Sequence, residues 1–270
     1  MKILVSSEWL NDNINDQDLI LLDASQKTKL VKVDHLQGNI QIKNARSFNL
    51  KEKFSDTTTS LPNMLPNSTE FKRESRILGI NNSSVIVIYD DLGIFFSPRV
   101  WWMFKAMGHQ KVYVLNGGLK DWLKKGFITE PKIPKSYSQG NFKACFNSNA
   151  VRSLDAIKRN IKRKDEILID ARSNNRFKGL APEPRDIPSG SIKDSINIPY
   201  ETVLKNGKYK RQEDLVQIFK NHNIDNRPLI FSCGSGITAC IILLASELVL
   251  TNQKSVYDGS WTEWATDRME

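Results

Sequence analysis

Cys233-Gly-Ser-Gly-Ile-Thr238 combines a thiol with the features that activate one. Glycines two apart let a loop curl closely around a sulfur, because they accept positive φ and close backbone approach. The apolar run from Ile237 to Leu250 predicts a helix directly after the loop, with its free amides and positive dipole end pointing back at it. Lowering a thiol from about 8.5 to about 6 takes roughly 3.4 kcal/mol. A helix end supplies about 0.3–2 kcal/mol of this. Several loop amides, at roughly 1.5–3 kcal/mol each for a bond to charge, supply the rest. These features single out Cys233 as a nucleophile. A cysteine that only packs is the competing reading, and it suits the other two: Cys145 among strand-like residues, and Cys240 in an apolar helix beside Ile241, Leu243 and Leu244. Three cysteines form neither a disulfide framework nor a zinc spacing, and none of the three histidines is paired at ligand spacing, so no metal site is expected.

The elements that must position Cys233 occur twice. Ile20-Leu-Leu-Asp23-Ala-Ser is echoed by Ile167-Leu-Ile-Asp170-Ala-Arg. Val85-Ile-Val-Ile-Tyr-Asp90, with a helix predicted over 98–107, is echoed by Pro228-Leu-Ile-Phe-Ser-Cys233 and its helix. Val112-Tyr-Val-Leu-Asn-Gly117-Gly-Leu-Lys-Asp-Trp122 is echoed by Val256-Tyr-Asp-Gly259-Ser-Trp-Thr-Glu-Trp264. Nearly constant separations mark a tandem repeat of one α/β unit. Short continuous apolar strands alternating with amphipathic helices predict a mainly parallel sheet flanked by helices in each copy. The expected organisation is an N-terminal domain over 1–130, a proline-rich extended linker over 131–148 and a C-terminal domain over 149–270. Ligands of parallel sheets bind beyond the carboxyl ends of strands. At that position the first copy has Asp90 and the second Cys233, so the second copy is expected to be catalytic and the first structural.

Bulk properties exclude several classes. Forty per cent apolar and 26% charged residues describe a folded globular chain, and no apolar run reaches the length of a membrane span. The segment Met1 to Leu10 has too short an apolar run for a signal peptide, which predicts a cytoplasmic protein. A net charge of +9 invites a nucleic-acid reading, but the lysines are scattered, with no long basic block. A positive field would still attract a small anionic substrate.

Cys233-Gly-Ser-Gly-Ile-Thr-Ala resembles the active-site loop Cys-Gly-[Ser/Thr]-Gly-Val-Thr-Ala of the 3-mercaptopyruvate sulfurtransferases, within the rhodanese superfamily. The resemblance extends to Ser97-Pro-Arg-Val-Trp-Trp-Met-Phe104, Arg176-Phe-Lys-Gly, Pro182-Glu-Pro-Arg185 and Tyr257-Asp-Gly-Ser-Trp-Thr-Glu-Trp264. It implies two tandem rhodanese-like domains, the first inactive, with a persulfide formed on Cys233. It also implies that Arg176 and Arg185 bind the carboxylate and carbonyl oxygens of the substrate, with Gly234, Gly236, Ile237 and Thr238 forming the cradle. Arginine suits this because its planar fork bonds a carboxylate bidentately. Pro182 and Pro184 rule out an uninterrupted helix between the arginines and predict an extended segment. The related thiosulfate sulfurtransferases carry Cys-Arg-Lys-Gly in the loop. The neutral Gly234-Ser235 pair here lacks the cations that would stabilise departing sulfite and offers instead a hydroxyl, which suits a leaving group that must be protonated. The implied reaction moves sulfur from 3-mercaptopyruvate through Cys233, with Ser235 assisting, to a thiol acceptor such as thioredoxin, a small thiol or cyanide. It releases pyruvate without a metal or organic cofactor.

The pattern departs from the family in two places. A Ser-His-Asp relay is common there, with histidine in His-Met-Leu-Pro; this chain has Asn63-Met-Leu-Pro66, and the acid falls near Glu52, with Lys51 a rival. Asparagine orients a hydroxyl but cannot accept and return a proton at neutral pH. The segment Gly190-Ser-Ile-Lys-Asp-Ser195 is also altered and is read as structural. His35, His109 and His222 are given no site role. Trp101, Trp102, Trp261 and Trp264 are read as core or domain-interface residues. The alternatives are a thiosulfate sulfurtransferase, a non-catalytic sulfur-carrying module, and a phosphatase. The last would need a longer loop ending near an arginine, and none lies between Cys233 and its helix.

Overall fold

The computed structural model describes residues 3–27 and 39–268, which leaves His35 outside the described residues. The chain divides into two compact units. One comprises Met1–Asp56, Leu65–Phe146 and Asn206–Lys208; the other comprises Thr57–Met64, Asn147–Lys205 and Tyr209–Glu270.

The first unit contains β1 (Leu4–Val5), α1 (Ser7–Asn13), β2 (Leu19–Asp23), β3 (Ile40–Ile42), β4 (Arg46–Ser47), α2 (Ser68–Ile77), β5 (Val85–Tyr89), α3 (Ser97–Ala106), β6 (Val112–Leu115), α4 (Gly118–Lys124) and β7 (Thr129–Pro131). Its five-stranded sheet has the order β1-β6-β5-β2-β4, and every pairing is parallel. Leu21, Val87 and Tyr113 lie abreast on one face, in a core shared with Leu10, Leu115 and Trp122. The predicted linker opens as β7, antiparallel to β3. The rest of it packs as irregular chain on this unit, with Phe142 fully buried and bonded from its amide to the carbonyl of Ile80. Cys145 lies in this chain, exposed and outside any strand, contrary to the strand-like reading.

The second unit is built to the same plan. Its elements are β8 (Val151–Arg152), α5 (Leu154–Arg163), β9 (Ile167–Asp170), α6 (Asn174–Phe177), β10 (Ile196–Asn197), β11 (Leu204–Lys205), β12 (Lys208–Tyr209, whose first residue is counted with the first unit), α7 (Gln212–Asn221), β13 (Leu229–Ser232), α8 (Ala239–Glu247), β14 (Lys254–Tyr257) and α9 (Ser260–Asp267). The sheet order β8-β14-β13-β9-β10 reproduces that of the first unit strand for strand, again all parallel. Strand β13 is central, with Phe231 paired to Ile169 on one side and Val256 on the other. All four of its residues are buried, which explains the unbroken apolar reading.

The predicted helix boundaries shift slightly. α8 begins at Ala239, because Ile237 and Thr238 form a turn that extends the cysteine loop. Between the two arginines, the chain leaves α6 and bends through 184–187 rather than running extended. No helix among the described residues is long and apolar enough to cross a membrane.

Candidate active site

Cys233 follows the last residue of β13 and is 2% exposed. Its loop is held from the start of α9. The amide of Trp261 donates to the Cys233 carbonyl at 2.9 Å. The amide and hydroxyl of Thr262 both donate to the Gly234 carbonyl, at 3.1 and 2.6 Å. The first turn of a helix has spare amides, and here the loop carbonyls occupy two of them.

Ser260 supplies the opposite kind of contact. Its Oγ accepts from the amides of Cys233 (3.2 Å) and Gly236 (3.1 Å), and donates to the Tyr257 carbonyl at 2.9 Å. Ser260 is fully buried and adopts φ +54°, a conformation that a non-glycine residue keeps only where its surroundings compensate. Gly236, at φ +78°, needs its missing Cβ to turn the loop. The amides of Ser235, Ile237 and Thr238 find no acceptor among the described residues.

Around this loop the structure gathers most of the residues predicted from sequence. Ser235 Oγ accepts from Asn63 Nδ2 at 3.0 Å, and Arg185 Nη2 approaches it at 3.4 Å. Asn63 also donates to the Ser235 carbonyl at 3.3 Å and sits at φ +62°, a region asparagine tolerates. Arg185 is half-buried; burial pulls its pKa below the usual arginine value, opposed by the neighbouring Cys233. Arg176 lies over the other side of the loop, where a Cβ built on Gly234 would stand 2.9 Å from its Nη2. Glu52, in the first unit, is exposed and accepts from Asn49 Nδ2 at 2.7 Å, while Lys51 donates to the Lys27 carbonyl.

Three residues escaped the sequence reading. Arg172, fully buried, makes a fork on Asp170 with contacts of 2.6–3.1 Å, donates to the Gly190 carbonyl at 2.7 Å and stacks 4.5 Å over the Trp261 ring. That carbonyl contact gives the altered 190–195 segment a structural role. Glu183 bridges Arg172 Nη1 at 2.8 Å and Arg176 Nη2, with its side chain 1% exposed. Burial pulls the Arg172 pKa down, but the Asp170 and Glu183 carboxylates outweigh it and hold this guanidinium firmly charged. Ser260 is the third. Glu183 and Ser260 lie inside motifs visible in the sequence, yet their bonding depends on the folded chain.

The first unit shows what such a loop does with a fixed anion. At the matching position, Asp90 is fully buried, and its Oδ2 accepts from the amides of Phe95, Phe96 and Ser97 and from the Ser97 hydroxyl, at 2.6–3.0 Å. A carboxylate of the chain itself fills the cradle there. In the second unit that place belongs to a thiol.

The rhodanese-like domain model matches residues 6–125 and again 153–267, so the chain belongs to the rhodanese family, as two tandem domains. It is 38% identical over 282 residues to rat thiosulfate sulfurtransferase, covering 97% of this chain and 92% of the relative. It is 36% identical over 275 residues to mouse 3-mercaptopyruvate sulfurtransferase, with the same coverage of each. The crystal structure of a 3-mercaptopyruvate sulfotransferase from Escherichia coli superposes with a TM-score of 0.86 at 30% identity, over 97% of this chain and 99% of that one. The chain is a sulfurtransferase of this family.

Proposed function

We propose that the protein takes sulfur from 3-mercaptopyruvate onto Cys233, releases pyruvate and passes the sulfur to a thiol acceptor. The observation that carries the substrate choice is the fit between Gly234 and Arg176. A Cβ at 234 would stand 2.9 Å from the Nη2 of Arg176, so a cationic side chain there would have to push aside and repel a guanidinium anchored to buried Glu183. Overall identity does not separate the two donors, since relatives of both kinds match over nearly the whole chain.

In the proposed reaction, the Cys233 thiolate attacks the substrate sulfur. The S–S bond forms as the C–S bond breaks, and its electron pair passes into the enolate of pyruvate. Arg176 and Arg185 hold the carboxylate and the developing enolate oxygen. Ser235 Oγ already accepts from Asn63 and lies against Arg185, so its own hydrogen is free to point at the leaving enolate. The enolate carbon gains one proton and the persulfide loses the proton that came with the substrate thiol, so no external acid is consumed. The amides of Ser235, Ile237 and Thr238, beside Gly234 and Gly236, then stabilise the persulfide as the Asp90 cradle stabilises its carboxylate. An acceptor thiolate, from thioredoxin or a small thiol, attacks the outer sulfur and regenerates Cys233. We assign no step to Glu52. A cytoplasmic location belongs to the same proposal, although a mitochondrial form occurs among the relatives.

Mass spectrometry after one addition of 3-mercaptopyruvate tests the reading. One added sulfur on Cys233, absent in Cys233→Ser and retained in Cys145→Ser and Cys240→Ser, is the expected result. Sulfur on another cysteine would remove Cys233 from its role.

A further inference from the structure

Within the second unit, Glu183 bridges two arginines: Arg172, locked by Asp170 and stacked on Trp261, and Arg176, whose guanidinium reaches Gly234. The bridge fixes one end of the Arg176 fork against a buried, immobile partner. The Nε of Arg176 is also buried with no acceptor among the described residues, so the group is not saturated by Glu183. Around the loop, Asp170 and Glu183 stand against Arg172, Arg176 and Arg185, which leaves one net positive charge to balance the Cys233 thiolate.

We infer that Glu183 is a specificity-determining and positioning residue: by holding Arg176 and cancelling one positive charge, it matches the site to a singly charged sulfur donor over a doubly charged one. The inference rests on the proposed sulfur-transfer reading and deepens it. At neutral pH 3-mercaptopyruvate carries one negative charge and thiosulfate two. Removing this buried carboxylate leaves Arg176 unopposed, while Arg172 keeps Asp170, and releases Arg176 from its pose. The first effect favours the dianion and the second harms the monoanion, so both move the preference in one direction. A purely structural role would lower turnover of both donors together and leave their ratio unchanged.

The test compares kcat/KM for 3-mercaptopyruvate with kcat/KM for thiosulfate in wild type, Glu183→Gln and Glu183→Asp. Loss of one charge-assisted bond corresponds to about a tenfold change or more. The Gln variant is therefore expected to shift the ratio at least about tenfold toward thiosulfate, and the Asp variant, which keeps the charge, to restore most of it. An unchanged ratio in Gln, or an equal shift in Asp, overturns the inference. A wild type that prefers thiosulfate would defeat the substrate reading while leaving the Gln shift to judge Glu183. Should Glu183→Gln fail to fold, protection of wild-type Cys233 from iodoacetamide decides the matter. Pyruvate, a monoanion, must then protect at lower concentration than sulfate, and the reverse order overturns the proposal.

Discussion

An amide cradle is indifferent to whether its anion is a carboxylate or a sulfur, and at one position the two halves of this chain place an aspartate and a cysteine. Asp90 fills its own cradle with four donors to one oxygen. Asp90→Ala should lower stability by about 3 kcal/mol or more, since it strands buried donors worth roughly 1–3 kcal/mol each. Asp90→Asn should cost less; urea midpoints of the two variants check the order. At Cys233 the loop amides are proposed to hold the persulfide. Arg176→Ala and Arg185→Ala should each lower kcat/KM for 3-mercaptopyruvate by about 10- to 150-fold, the equivalent of one charge-assisted bond. Lysine should recover only part, lacking the planar fork. The double variant should lose less than the two single losses combined, because both groups grip one small molecule; kinetics across the double-mutant cycle give this directly. That Cys233, Ser235, Arg176, Arg185 and Asn63 gather around one loop was legible because short contiguous motifs carry them. Glu183 and Ser260 were not, because a carboxylate between two arginines and a hydroxyl between two amides are produced by the fold. Glu52, which the resemblance suggested as the acid of a relay with Lys51 as a rival, accepts from Asn49 in its local turn.

Elements place these groups through one junction: β13 delivers Cys233, α8 follows the loop, and the first turn of α9 ties the loop down. Ser260 is the pin of this assembly, at φ +54° with its hydroxyl on Cys233 and Gly236. Ser260→Gly should relieve the backbone yet lose the hydroxyl; Ser260→Ala should lose the hydroxyl and keep the strained backbone. Both should slow persulfide formation by about tenfold or more, with Ala the less stable of the two by roughly 1 kcal/mol. Stopped-flow turnover together with thermal melts separates the two effects; normal persulfide formation in both variants would show that the loop holds without the pin. The central strands were readable because burial on both faces leaves unbroken apolar runs. The edge strands β1, β4, β8 and β10 span two residues each, too few for any periodicity. The start of α8 slipped because Ile237 and Thr238 are apolar enough to read as helix while belonging to the loop.

At the scale of the whole molecule, one parallel sheet order occurs twice, with Asp90 at the central strand end of the first copy and the thiol of Cys233 at that of the second. The internal repeat makes this architecture visible in the residues alone, since matched motifs at matched spacing constrain topology more than composition does. The first copy contributes a dense aromatic core in which His109 packs against Phe104 and Phe142, with Nε2 2.9 Å from the Ser84 carbonyl. Burial lowers its pKa from the usual 6.5, so the folded state keeps this ring neutral at a pH where the unfolded chain binds a proton. The unfolded state then holds more protons, and stability rises with pH through this window. The contribution is complete above about 6.5 and is lost as pH falls from there toward the folded pKa. Urea midpoints should fall between pH 7.5 and 5.5, and fall less in His109→Gln; an identical pH slope in the variant would contradict this assignment.

Measuring both donors on one preparation, as pyruvate released from 3-mercaptopyruvate and thiocyanate formed from thiosulfate and cyanide, decides whether the neutral loop selects 3-mercaptopyruvate. Wild type should show the higher kcat/KM with 3-mercaptopyruvate, and Gly234→Arg combined with Ser235→Lys should move the preference toward thiosulfate. A wild type that turns over thiosulfate more efficiently would contradict the account.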